Sequence, residues 1–206
     1  MIKNIVMDMG NVLLFYDPFV ILNRTCENER EKELILKHLF EGEVWEMGDR
    51  GEITNEQRYE LVKPLLPEAL HPKLKACVEQ WDICLQPIDG AKEFCRKRRE
   101  EGFGMYVLSN ACNRFHTYFP ERFGCGFFDG ILVSSDVHLI KPDVKIYELL
   151  CSTYGLVPQE CVFIDDRPEN VEAAKKIGMQ GIVFAGDYGV LERELSGCCG
   201  ADGMFS

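Results

Sequence analysis

A chain of 206 residues, 46% hydrophobic and 28% charged, can build one good-sized domain or a domain with a sizeable insertion, and it is not composed like a disordered segment. Its 34 acidic residues outnumber 23 basic ones, and the net charge of −11 disfavours non-specific binding to nucleic acid or to an anionic membrane. An anionic small substrate would therefore need a local metal or lysine to hold it.

The first element is an apolar run, residues 2–7, that reads as a buried strand and leads straight into Asp8-Met9-Gly10-Asn11-Val12. From 17 to about 87 no convincing strand is found, and helical patterns occupy 29–40, 55–65 and 72–81. Within them Thr54-Asn55-Glu56-Gln57 matches a capping box, hydroxyl to first-turn amide and glutamine back to the cap. This stretch is far longer than a crossover between parallel strands requires, and reads as a helical insertion over the carboxyl edge of a sheet. Asp89 is placed to cap a helix running to about Glu101, which Gly102 ends. Strands follow at 105–108 and 131–134, then a helix from Asp143 to Tyr154 stopped by Gly155. A strand at 162–164 precedes a helix opened by Pro168 and exited at Gly178, and a last strand covers 181–184. After Gly186-Asp187 a short helix, 190–195, gives way to a Gly-rich tail.

Strands alternating with helices imply an α/β fold, a Rossmann-like parallel sheet of five or more strands with right-handed crossovers. The expected division is a core of 1–16 and 88–206 with a helical cap of 17–87. The ten cysteines are irregularly spaced, with no paired Cys-x-x-Cys elements, and Cys198-Cys199 reads as plain tail. Lys3 and Asn4 interrupt the amino-terminal apolar run, so no signal peptide is expected, and no run is long enough to span a membrane. A reduced, cytoplasmic protein is the expectation. The sequence leaves its oligomeric state open.

Two strands each run into carboxylate: 2–7 into Asp8 and 162–164 into Asp165-Asp166. Lone carboxylates are costly to bury. They are tolerated at strand ends because open α/β sheets bind ligands outside those ends. Two such ends side by side would form an oxygen-rich cup suited to magnesium. Asp8 could then act as a nucleophile, forming an aspartyl-phosphate. Ser109-Asn110 follows the second strand, where a hydroxyl and amides can bond phosphate oxygens. Lys141 supplies a fixed positive charge. Asp166 can complete a metal site with Asp8 and the Gly10 carbonyl, while Asp165 can bond Lys141 or metal-bound water. Each alone has a plainer reading as turn, helix cap or surface lysine. Their order, each at or just beyond a strand end, makes the plain reading poor.

Taken together, these residues resemble the four signature motifs of the haloacid dehalogenase superfamily. The resemblance covers residues 1–185 and includes a helical cap after the first motif. Asp8-Met9-Gly10-Asn11-Val12, Val107-Leu108-Ser109-Asn110 and Asn113-Arg114-Phe115-His116-Thr117 are similar to a bacterial branch containing alpha-D-glucose-1-phosphate phosphatase. Trp45 to Thr54, with Arg50-Gly51-Glu52-Ile53, resembles that branch's cap. The resemblance implies a magnesium-dependent phosphatase acting on a small phosphorylated metabolite, a sugar phosphate such as glucose 1-phosphate. Its alternatives are a metal-independent 2-haloacid dehalogenase, which the acidic pair disfavours, and a weakly active binding or regulatory protein.

One position departs from the superfamily. Most of its phosphatases carry a second Asp two residues after the nucleophile, as general acid, and Gly10 stands there. Substrates with good leaving groups are then expected. Asp17 is a candidate replacement acid, with the opening of a helix before Pro18 as the equal alternative. Arg114 and His116, at a helix start after Ser109, are candidate sugar or phosphate ligands, against the commoner solvated role. Trp45 and Trp81 are expected as core.

Overall fold

The computed structural model describes residues 1–199. Its first half runs β1 (Asn4–Met7), β2 (Leu14–Tyr16), α1 (Phe19–Thr25), α2 (Glu29–Ile35), α3 (Glu43–Asp49), α4 (Asn55–Val62), α5 (His71–Gln80) and β3 (Leu85–Pro87). There follow α6 (Ala91–Glu100), β4 (Gly104–Ser109), α7 (Phe115–Arg122), β5 (Gly130–Val133) and α8 (Ser134–Val137). The last elements are α9 (Val144–Tyr154), β6 (Cys161–Asp165), α10 (Pro168–Lys176), β7 (Gln180–Val183) and α11 (Tyr188–Cys199).

The five expected strands form one parallel sheet in the order β5-β4-β1-β6-β7. Side chains alternate between its faces. Ile5, Met7, Met105, Val107, Val162 and Ile164 join one buried cluster, and Val6, Leu108 and Phe163 join another. Both faces are covered, which is why the strands read as continuous apolar runs. Ile146, Tyr147 and Leu150 of α9 and Val171 and Ala174 of α10 cover the second face. Phe94, Phe115, Phe119 and Leu191, from α6, α7 and α11, cover the first. That cluster continues into the helical stretch through Leu22, Ile35, Val62 and Leu74. β1 pairs with β4 on one side and β6 on the other, so the winding direction reverses between β1 and β6. Ligands bind at such switch points, outside the carboxyl ends.

Several expectations are corrected. The stretch from 17 to 87 does contain a strand: β3 pairs antiparallel with β2, Leu14 opposite Pro87 and Tyr16 opposite Leu85. Strands of three residues, one holding a proline, show no readable period. α3 is an additional short helix with no side-chain N-cap bond to announce it, and α1 is the helix that the alternative reading of Asp17 before Pro18 anticipated. The expected helix at 55–65 ends as α-helix at Val62, because Pro64 has no N–H to continue the ladder. The capping box is present, with Thr54 Oγ1 accepting from Gln57 N at 3.3 Å and Gln57 Oε1 from Thr54 N at 2.8 Å. Gly90, not Asp89, precedes α6, at φ +85°, where glycine is at ease. Cys198 and Cys199 close α11 rather than lie in a tail; residues 200–206 lie outside the described residues. Among the described residues, Cys26, Cys77, Cys84, Cys95, Cys112, Cys125, Cys151 and Cys161 enter no disulfide. No described helix is long and apolar enough to cross a membrane.

The end of α3 is tightly fitted to the core. Gly51 sits at φ +72°, and a Cβ there would lie 2.4 Å from the Ser135 carbonyl oxygen. Gly51→Ala therefore adds left-handed strain to a backbone collision, about 2–4 kcal/mol together. The expected result is a lower urea midpoint; an unchanged one would show that this turn is not held against Ser135.

Candidate active site

Asp8 follows β1 directly, and its N–H donates to the Ile164 carbonyl at 2.8 Å. The ladder thus extends past the strand and sets Asp8 beside the end of β6. Lys141 enters from the loop between α8 and α9. Asn110 grips its backbone from both sides: Nδ2 donates to the Lys141 carbonyl at 3.0 Å, and Oδ1 accepts from Lys141 N at 2.9 Å. The ammonium donates to Asp8 Oδ1 at 2.6 Å, Asp165 Oδ2 at 2.7 Å and the Leu108 carbonyl at 2.9 Å. All three of its donors are thereby spent.

Asp165 is fully buried and saturated. Oδ1 accepts from Arg167 N at 2.9 Å and Asn170 Nδ2 at 3.0 Å, and Oδ2 accepts from Lys141 and again from Asn170 Nδ2 at 3.0 Å. These bonds make it the anchor of Lys141. Asp166 is freer: Oδ2 accepts from Asn11 Nδ2 at 3.1 Å. Asn11 adopts φ +54°, a conformation asparagine tolerates, and its Oδ1 accepts from Tyr16 N at 3.2 Å.

Oxygens of Asp8, Asp165 and Asp166 lie within 4.8 Å of one another. Three carboxylates face one lysine. Burial pushes Asp8 up to about 7 against the pull of Lys141, with Asp165 adding to the rise. Burial also raises Asp166, opposed by Asn11. Lys141 behaves oppositely: burial disfavours its charge, yet Asp8 and Asp165 outweigh it, so its pKa is raised and it stays cationic. A cluster of hard oxygen donors with surplus negative charge fits a divalent cation such as magnesium. The Ser109 hydroxyl at the end of β4 is buried with no hydrogen-bond partner. A phosphate oxygen would satisfy it.

A cavity of about 490 Å³ opens above this floor of Asp8, Gly10, Asn110, Lys141 and Asp166. Its walls carry Tyr16, Phe40, Trp45, Trp81 and Tyr118. Trp45 meets Trp81 edge-on at 5.1 Å, and Trp81 meets Tyr118 edge-on at 5.2 Å. Trp81 is thus both core and cavity wall, and its Nε1, like the Tyr16 hydroxyl, is buried without a hydrogen-bond partner. Asp49 and Arg50, from the end of α3, also line the cavity.

The structure brings Asp8, Gly10, Asn110, Lys141, Asp165 and Asp166 together, with Ser109 beneath. Three predicted residues stand elsewhere. The Asp17 carboxylate accepts from Phe19 N at 2.8 Å and opens α1, outside the cavity lining. Arg114 donates to the Glu79 carbonyl at 2.9 Å and to Asp82 at 3.0 Å, fastening α7 to the end of α5. His116 bonds Asp136 at 2.7 Å near the surface. Sequence reasoning assigned no role to Asn11, Asn170 or Asp49. Asn170 carried a signal: it lies five residues beyond Asp165, on the first turn of α10.

The chain matches the family model of haloacid dehalogenase-like hydrolases over residues 2–178. It is 28% identical over 201 residues to the sesquiterpene phosphatase astK of Aspergillus oryzae, covering 95% of this chain and 97% of that one. It is 27% identical over 198 residues to enolase-phosphatase E1 of Aquifex aeolicus, covering 91% and 76%. Its fold is similar to that of a HAD-family enzyme of Bacteroides thetaiotaomicron solved with magnesium and inorganic phosphate, at a TM-score of 0.69, 21% identity, and coverage of 93% and 99%. The family match runs from β1 through α10, across every segment that meets at Lys141, and the chain belongs to the haloacid dehalogenase-like hydrolases.

Proposed function

We propose that this hydrolase is a magnesium-dependent phosphatase that takes the phosphoryl group of a small metabolite onto Asp8. The observation that carries this reading is the Lys141 ammonium shared between Asp8 at 2.6 Å and Asp165 at 2.7 Å, with Asp166 beside them. Asp8 supplies the attacking oxygen. Lys141 orients that carboxylate and offsets the charge of the arriving phosphoryl group, and Asp165 and Asn110 hold Lys141 in place. The Ser109 hydroxyl, buried without a hydrogen-bond partner, is the group that would bond a phosphate oxygen seated on this floor. Magnesium held by Asp8, Asp166 and the Gly10 carbonyl would add positive charge where phosphoryl transfer most needs it. The stretch 17–87 serves as the cap that walls off the reacting groups.

For the substrate we infer a sugar phosphate such as glucose 1-phosphate. Its support is the resemblance to the glucose-1-phosphate phosphatase branch, together with aromatic walls on which a sugar ring can rest. A second reading, a terpenoid phosphate, is favoured by the same walls and by the sesquiterpene phosphatase among the relatives.

Phosphate release from glucose 1-phosphate, glucose 6-phosphate and a prenyl phosphate, with and without EDTA, tests the reading. Chelation is expected to lower turnover by roughly 10²-fold or more, restored by added magnesium. Halide release from a 2-haloacid that is indifferent to EDTA would instead identify a dehalogenase. No turnover on any phosphate would leave the binding-protein reading standing.

A further inference from the structure

A phosphoester with an ordinary alcohol leaving group needs a proton on the departing oxygen. Gly10 cannot give one. Among the described residues lining the cavity, the carboxyls are Asp8, Asp166, Glu41, Glu46 and Asp49. Asp8 is the nucleophile and Asp166 belongs to the cation site. Glu41 and Glu46 are exposed, and Glu46 pairs with Arg50 at 2.8 Å. Asp49 remains, and among the described residues its side chain makes no hydrogen bond or ion pair.

Its position is built. The Asp49 carbonyl accepts from the Ser134 hydroxyl, which itself accepts from Ala111 N at 2.9 Å, in the loop just after Ser109-Asn110. The next carbonyl, of Arg50, bonds His138 Nδ1 at 2.9 Å. Gly51 then packs on Ser135 too closely for any side chain. Three consecutive residues are thus fixed to the segment from α8 towards Lys141. The core elements that place Asn110 and Lys141 also place Asp49 on the cavity wall.

We propose that Asp49 protonates the leaving-group oxygen as Asp8 takes the phosphoryl group. This rests on the phosphatase reading above. One Asp8 oxygen forms the new P–O bond while the ester P–O bond breaks. The Asp49 proton goes to the departing oxygen, which leaves as the alcohol. The Asp49 carboxylate then takes a proton from the water that attacks the aspartyl-phosphate, regenerating Asp8, the Asp49 acid and inorganic phosphate. The restriction to good leaving groups expected from Gly10 is thereby lifted.

The charge environment agrees. Burial pushes the Asp49 carboxyl up to about 7, opposed by the Arg58 guanidinium, with Glu46 adding to the rise and Arg50 opposing it. Tyr16, Cys112 and Tyr118, which line the same cavity and are raised chiefly by burial, are raised further by the Asp49 charge. A carboxyl poised near neutrality suits alternate duty as acid and base.

The test compares phenyl, p-nitrophenyl and 2,4-dinitrophenyl phosphate, whose leaving groups need progressively less protonation. In Asp49→Asn, kcat/KM for phenyl phosphate is expected to fall ~10²–10⁴-fold, while 2,4-dinitrophenyl phosphate loses less than about tenfold. The retained activity itself shows a folded variant. kcat/KM reads only the steps through leaving-group departure, so the later water step does not blur the comparison. The native alkaline limb near pH 7 for phenyl phosphate should vanish in the variant. Equal losses on all three esters, or no loss on phenyl phosphate, would overturn the role of Asp49 alone. A native protein that releases phosphate from none of them would overturn the phosphatase reading as well.

Discussion

Asp8→Asn is expected to lower phosphate release by roughly 10⁴–10⁶-fold and leave the protein folded. An amide in place of the carboxylate cannot form the aspartyl-phosphate, so the covalent route is closed. The fold should survive, because asparagine matches aspartate in size and Lys141 keeps Asp165 and the Leu108 carbonyl as acceptors. Stability should shift with a definite sign. In the metal-free protein, burial raises the Asp8 carboxyl from an ordinary 3.8 to about 7. A raised folded value means that the protonated carboxyl favours the native state below the unfolded value, and that this contribution is lost as pH rises through about 7. Asparagine does not titrate. In EDTA, the urea midpoint of Asp8→Asn should therefore gain on the native protein between pH 5 and 8. A variant with near-native turnover would remove Asp8 from the chemistry.

The sheet was legible because its strands are covered on both faces and so appear as unbroken apolar runs. The core of the site was legible for a related reason. Asp8 and Asp165-Asp166 are carboxylates placed where apolar strands end, and Lys141 lies between them in chain order. What joins them was not legible. Asn110 was expected to offer groups to phosphate, but its side-chain amide is spent on both backbone groups of Lys141. Sequence shows that such an amide is present, not which bond it makes. Arg114 looked like an anion ligand and instead ties α7 to Asp82 and the Glu79 carbonyl. The ribbon of β2 and β3 was missed because each strand has only three residues. The helical stretch offered several acids, Asp17 and Asp49 among them. Contacts with Ser134, Ser135 and His138, over eighty residues downstream, fix the end of α3 at the cavity, and no local pattern encodes that.

Lys141→Met should be costly in two separable ways. The native side chain is 1% exposed and is the only cation within bonding distance of Asp8 among the described residues. Methionine fills a similar volume but leaves two carboxylates facing each other without a counter-charge. Removing one partner from a buried ion pair typically costs about 3–5 kcal/mol, because the remaining charge stays desolvated. That loss should be larger at pH 8 than at pH 5, since at the lower pH the Asp8 carboxyl, raised by burial to about 7, can protonate and relieve the repulsion. Turnover should fall by roughly 10²–10³-fold at least, the scale for removing one preorganised donor from a developing charge. Lys141→Arg should not restore it, since a planar fork cannot point one nitrogen at three acceptors on different elements. Urea midpoints at both pH values, taken in EDTA, separate the structural loss from the catalytic one. A variant that loses turnover with its midpoint unchanged at pH 8 would mean that Lys141 is not what makes these buried carboxylates tolerable.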